Sequence, residues 1–184
     1  MDEIKTGREF LTAVVSPDVA AFLSDRTSLR LAFHACISLL SLRDWIAEDF
    51  QDRPWQWKGS TLPLIDSHLS EKKRRIIVGN ALNTASQIEA EEGWHGSMDI
   101  IWNVGNSAKH MKLTSAWKKI AGSANVHLMA VQSGAFDPNV FDASAFQVEI
   151  EAVVVHVGNE YLDLSIFVKR LHDVCVELFD ENKW

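Results

Sequence analysis

SLRLAFHACISLLSLRDWIAEDF (28–50) decides the fold. Apolar side chains fall at Leu29, Leu31, Ala32, Phe33, Ala35, Cys36, Ile37, Leu39, Leu40, Leu42, Trp45, Ile46 and Phe50, with no Gly or Pro among them. That stripe is wider than one helix face, so the stretch reads as a central helix buried on most sides. Thr27 or Ser28 can cap its start. Such a helix needs others around it. The predicted class is mainly α, a bundle of about five to six helices.

Working outward, Ile4, Phe10, Leu11, Val14 and Val15 predict a short helix over 3–15. Ser16-Pro17-Asp18 reads as an N-cap followed by Pro at the first helical position, opening a second short helix to Leu23. Residues 51–65, with Pro54, Pro63, Gly59, Trp55 and Trp57, read as a loop. Asp66 or Ser67 can cap a helix over 67–90, whose basic start (Lys72 to Arg75) and acidic end (Glu89, Glu91, Glu92) oppose the helix dipole. Gly93 and Gly96 bracket Trp94 and His95 in a turn. Ser97 then caps a helix over 98–111.

The pattern changes toward the C-terminus. VHLMAVQS (126–133) and FQVEIEAVVVHV (146–157) alternate and are rich in β-branched residues, which predicts two strands. Residues 134–143 are a loop and Gly158-Asn159 a turn. Leu164, Phe167, Val168, Leu171, Val174, Cys175 and Leu178 return to helical spacing. The expectation is a single domain, 1–184, with a β-hairpin inserted over 126–160 before the C-terminal helix. Two strands alone are marginal, so the hairpin must pack on the bundle or pair with another chain.

Composition narrows the function classes. The 184 residues are 47% hydrophobic and 23% charged, ordinary for a globular protein, and Gly 9, Pro 4 and Cys 2 exclude collagen-like, disordered and disulfide-stapled classes. The longest apolar stretch, 31–42, is interrupted by His34, and the N-terminus has no apolar h-region. A cytoplasmic protein with no membrane partner is therefore expected. The net charge of −7 lies wholly in residues 125–184, with 3 cationic and 10 anionic side chains, while residues 1–124 balance at 15 each. A general nucleic-acid coat, which carries a basic footprint, does not fit. Basic clusters at Lys72–Arg75 and at Lys109, Lys112, Lys118 and Lys119 read as solvated helix faces. Cys36 and Cys175 stand alone in apolar segments, as buried thiols do.

One polar feature stands out. Asp99, Asn103, Asn106 and His110, spaced 4, 3 and 4, share one face of the 98–111 helix, opposite Ile101, Val104, Ala108 and Met111. Short polar side chains compete with the helix backbone, so four of them aligned suggest a directed hydrogen-bond network. On the long helix, Arg30, His34, Ser38 and Ser41 form a narrow polar arc, with Glu48 beyond. These eight residues, Arg30 to Ser41 and Asp99 to His110, are the candidate cleft if the two helices face each other. His34 and His110 could then act as acid and base on RNA, with Arg30 steadying phosphate charge. No phosphate loop, nucleophile elbow or HExxH is present, so no cofactor is expected. His34, His95, His110 and Asp99 lack the i, i+4 pairing of a helical metal site, so none is expected there either.

LRLAFHACISLLSLRDWI (29–46) and MDIIWNVGNSAKHMKL (98–113) resemble the signature helices of a family of uncharacterised bacterial helical proteins. In that family a His-bearing helix ends near Asp-Trp and a later helix closes on Asn-x-x-Lys-His. The matching residues are His34, Asp44, Trp45, Asn106, Lys109 and His110. The resemblance covers about a third of the chain and implies a fold without an activity. A more distant similarity is to HEPN-type helical domains, often dimeric and including RNases, whose motif is Arg followed by His after four to six residues. Here three residues separate Arg30 from His34.

Two functions are expected from these readings. The first is a non-enzymatic protein-interaction module, acting on a protein partner or as a homodimer, since seven Trp accompany no complete catalytic motif. The alternative is an HEPN-like nuclease or nucleotide-binding protein using His34 and His110.

Overall fold

In the computed structural model, which describes residues 3–91, 93–110, 126–133, 148–157 and 160–182, the 28–50 stretch forms α3, Leu29–Asp49. The Ser28 hydroxyl accepts from the Leu31 amide, 3.3 Å, as its cap. Ala32, Ala35, Cys36, Leu39, Leu40, Leu42, Ile46 and Ala47 are all buried, so α3 runs through the core. Helices α4 (Glu71–Ala85), α5 (Ser97–His110) and α6 (Leu164–Glu181) pack around it. The molecule is a mainly α bundle with a β insertion before its last helix.

The N-terminal segment differs from its expected two helices. Helix α1 (Gly7–Phe10), a π segment (Leu11–Val15) and α2 (Ser16–Ser24) run on without a break. Ser16 is not an N-cap: its backbone is helical and its hydroxyl lies 2.9 Å from His172 Nε2 on α6. Pro17 explains the π segment. Its ring crowds the preceding turn and it donates no N–H, and a widened turn relieves both. The helix start is anchored from α3, where Asp49 Oδ2 accepts from the Gly7 amide at 2.5 Å. Burial pushes the Asp49 carboxyl above the ordinary aspartate range, against the opposing pull of that hydrogen bond and of Arg53.

Helix α4 starts at Glu71 and not at 67, because Asp66 accepts from the His68 amide and holds a turn. It also ends at Ala85 rather than 90. Residues Gln87–Ala90 are β3, paired antiparallel with β4 (Gly93–Gly96), after two minute strands, β1 (Gln56–Trp57) and β2 (Ser60–Thr61), in the 51–65 loop. Glu89 and Glu91 therefore never sit on the helix, and the opposed charges at its C-terminal end vanish. The basic start is offset by acids: Arg74 meets Glu48 at 2.7 Å, and Arg75 pairs with Asp44, 3.2 Å, and with Glu71.

The insertion is a three-stranded antiparallel sheet in the order β5 (Val126–Ser133), β6 (Val148–Val157), β7 (Glu160–Asp163). The two expected strands are present, and β7 is additional. Four residues are too few to announce a strand by alternation. Asp163 ends β7 opposite Val154 and at once caps α6, accepting from the Ser165 amide at 2.8 Å. Val153, Val155 and Val157 of β6 join the helical core. Cys36 and Cys175 are buried free thiols, and burial pushes Cys175 up to about 12.

Candidate functional site

The polar arc of α3 and the polar stripe of α5 sit on the two helices that pack most closely. A Cβ built on Gly105 would lie 2.5 Å from Leu40 Cδ1 and 3.5 Å from the Cys36 carbonyl oxygen, so Gly105 marks the crossing. His34 and Asn103 each stand two residues from the contact positions Cys36 and Gly105, roughly 160° round their own helices. His34 and Asn103 therefore point away from the shared interface. Arg30 and His34 are exposed. Ser38 is buried and donates to the Ala35 carbonyl at 3.1 Å, and Ser41 donates to the Ile37 carbonyl at 2.9 Å. Both hydroxyls are thus satisfied within α3. The side chain of His110 lies outside the described residues.

The stripe itself makes hydrogen bonds. Asn103, buried, donates through Nδ2 to the Asp99 carbonyl at 2.7 Å, and Asn106 donates to the Trp102 carbonyl at 2.9 Å. Asp99 is tied to α4 at two points. Asn83 Nδ2 donates to Asp99 Oδ2 at 2.8 Å, and Asn83 Oδ1 accepts from the Asp99 amide at 2.9 Å. This clamp fixes the start of α5, where a carboxylate also favours the helix dipole. It requires Gly96, because a Cβ there would fall 2.0 Å from Asn83 Oδ1. Gly96→Ala is expected to push Asn83 off Asp99 and to cost about 1–3 kcal/mol in chemical denaturation. The companion Asn83→Ala should make Gly96→Ala nearly neutral, because the obstructing side chain is gone.

A second constellation forms where the β3–β4 hairpin meets the sheet. His95 Nε2 lies 3.1 Å from Glu160 Oε2, and the two side chains are only 7% and 9% exposed. The hairpin base is locked below them. Ser97 Oγ and its amide both donate to the Ser86 carbonyl, at 2.5 and 3.3 Å, and Ser86 Oγ donates to the Leu82 carbonyl at 2.6 Å. Alternation then turns the neighbours outward. Trp94 is 61% exposed and Tyr161 56%, with the Tyr161 ring stacked on His156 at 4.7 Å. The buried imidazole–carboxylate pair is a structural tie, and the two exposed aromatics stand one residue from it.

Sequence reasoning placed Trp94 and His95 in a turn and did not single out Asn83, Glu160 or Tyr161. The available signal was the GWHG stretch itself, in which two glycines flank an apolar–polar alternation. Among the described residues no group of three or more His, Cys, Asp or Glu could hold a metal ion, and no helix is long and apolar enough to cross a membrane. A cavity of about 330 Å³ beside the Asp49–Gly7 contact is lined by Arg8, Glu48, Arg53 and Asn182. Arg8 there pairs with Asp180 at 3.0 Å and Glu48 with Arg74, so these charges already answer one another. Comparison with protein families, characterised proteins and solved structures found no match for this chain.

Proposed function

We propose that this chain is a non-enzymatic protein-interaction module that associates with a second copy of itself through the surface carrying Trp94 and Tyr161. One observation supports the reading above all. Two large aromatics are held more than half exposed within one residue of a buried tie. Trp and Tyr carry much of the energy of protein contacts. A rigid support lowers the entropy lost when they are covered. Trp55 and Trp57 do not contribute, because Trp55 is fully buried and Trp57 packs against the core. The test is sedimentation velocity over a micromolar concentration series. A concentration-dependent dimer is expected for the wild type, shifted to monomer by Trp94→Ala with Tyr161→Ala. A monomer throughout, or a dimer indifferent to both substitutions, would refute the proposal.

A further inference from the structure

A cavity of about 530 Å³ opens between the end of α2, strand β3 and the first turns of α6, a volume typical of small-molecule sites. Leu23, Ile88 and the exposed Ile166 give it an apolar wall. Arg26, Lys169 and Arg170 line the rest, against the single carboxylate of Asp173. In a chain of net charge −7 this local excess of cations runs against the composition.

One hydrogen-bond donor bordering the cavity is unused. Ser165 is 5% exposed, and its amide donates to Asp163 Oδ1. Its hydroxyl makes no hydrogen bond to a described residue. Arg26 is held through Nη2 by Asp163 and keeps a side chain 38% exposed beside the cavity. Lys169 is engaged only by an exposed ion pair with Asp173, 2.6 Å away on the next turn, and such pairs yield readily to a competing anion.

We infer that this cavity binds a small amphiphilic anion. The head group, a carboxylate or a phosphate, accepts from the Ser165 hydroxyl and sits between the Arg26 guanidinium and the Lys169 ammonium. A short apolar tail lies along Leu23, Ile88 and Ile166. Arg170 donates to the Ala85 carbonyl at 3.0 Å and adds charge from a fixed position. The site does not involve Trp94 or Tyr161 and is independent of the association proposed above.

The test is a titration of the isotope-labelled full chain with octanoate and, separately, with inorganic phosphate, followed by amide shifts. Octanoate is expected to give saturable shifts confined to 23–26, 88 and 163–173, with a dissociation constant of about 1 mM or below. Phosphate should shift the cationic side of the same set more weakly. Lys169→Glu should weaken octanoate about tenfold or more, and Ser165→Ala should weaken it in the same direction. Lys169 is exposed, so its variant keeps the fold, which unshifted amides elsewhere would verify. The inference is overturned by the absence of saturable octanoate shifts, by phosphate binding without octanoate binding, or by an octanoate affinity that neither substitution changes.

Discussion

Trp55→Ala is expected to destabilise the fold by about 3–5 kcal/mol, the range for removing a buried aromatic from a core. Trp55 is fully buried although it lies in the stretch between α3 and α4. Its ring meets Phe50 at 5.6 Å, and Phe50 meets Phe179 of α6 at 5.5 Å, so one aromatic column joins the loop to two helices. Its indole N–H donates to the Pro63 carbonyl at 2.6 Å, and its carbonyl accepts from the Leu62 amide at 2.9 Å, which folds the loop back on itself. Truncation opens a cavity, and that loss dominates, because Pro63 is exposed and water can take the place of the indole at its carbonyl. Trp55→Phe keeps most of the volume and should cost less. Trp57→Ala is the control. That ring is only partly buried, and its N–H reaches Glu177 at 3.2 Å on the surface, so about 1 kcal/mol is expected. Urea titrations should show a lower midpoint at constant slope for Trp55→Ala. A loss under about 1 kcal/mol would mean that the column does not hold the loop.

The contrast between the two tryptophans shows what a sequence can convey here. Helical periodicity is local, so α3, α5 and α6 are legible from spacing, and the β-branched run at 148–157 announces its strand. The 86–90 segment reads as helix because Gln, Glu and Ala favour one, while its conformation is set by tertiary contacts. Ser86 closes α4 with its hydroxyl and gives its carbonyl to Ser97, and Ile88 packs on the core. The N-terminal boundary failed for a related reason. Ser-Pro is a good helix start in isolation, but Leu11, Val15, Val19 and Phe22 bury one continuous face that a break would interrupt. At the candidate site, spacing aligned Asp99, Asn103 and Asn106 on one face of α5. It could not reveal that Asn83 closes on Asp99, which rests on Gly96, or that His34 turns away from that face, which depends on which residue marks the helix crossing. Gly105 is that residue, and nothing in its neighbours in sequence says so.

His95→Ala should cost about 1–3 kcal/mol, through a cause different from the loss of Trp55. Removing the imidazole takes away the group that faces the Glu160 carboxylate in a place where water is scarce. The penalty combines the lost hydrogen bond with the space the ring vacates, and only the first measures the pair itself. This distinction is measurable. Glu160→Gln, which keeps shape and hydrogen-bonding capacity, should cost less than His95→Ala. The double variant His95→Leu with Glu160→Leu should recover much of the loss, because an apolar contact needs no compensation in that setting. A double-mutant cycle from thermal or urea unfolding gives the coupling, expected at about 0.5–3 kcal/mol. Near-zero coupling would show that the 3.1 Å contact does not tie the hairpin to the sheet. The same cycle bears on association. If the tie holds Trp94 and Tyr161 in place, the apolar double variant should stay folded and still dimerise, whereas His95→Ala should weaken dimerisation with both aromatics intact. That outcome would locate the contribution of the buried pair in the positioning of the surface aromatics, since neither His95 nor Glu160 is exposed enough to meet a partner directly.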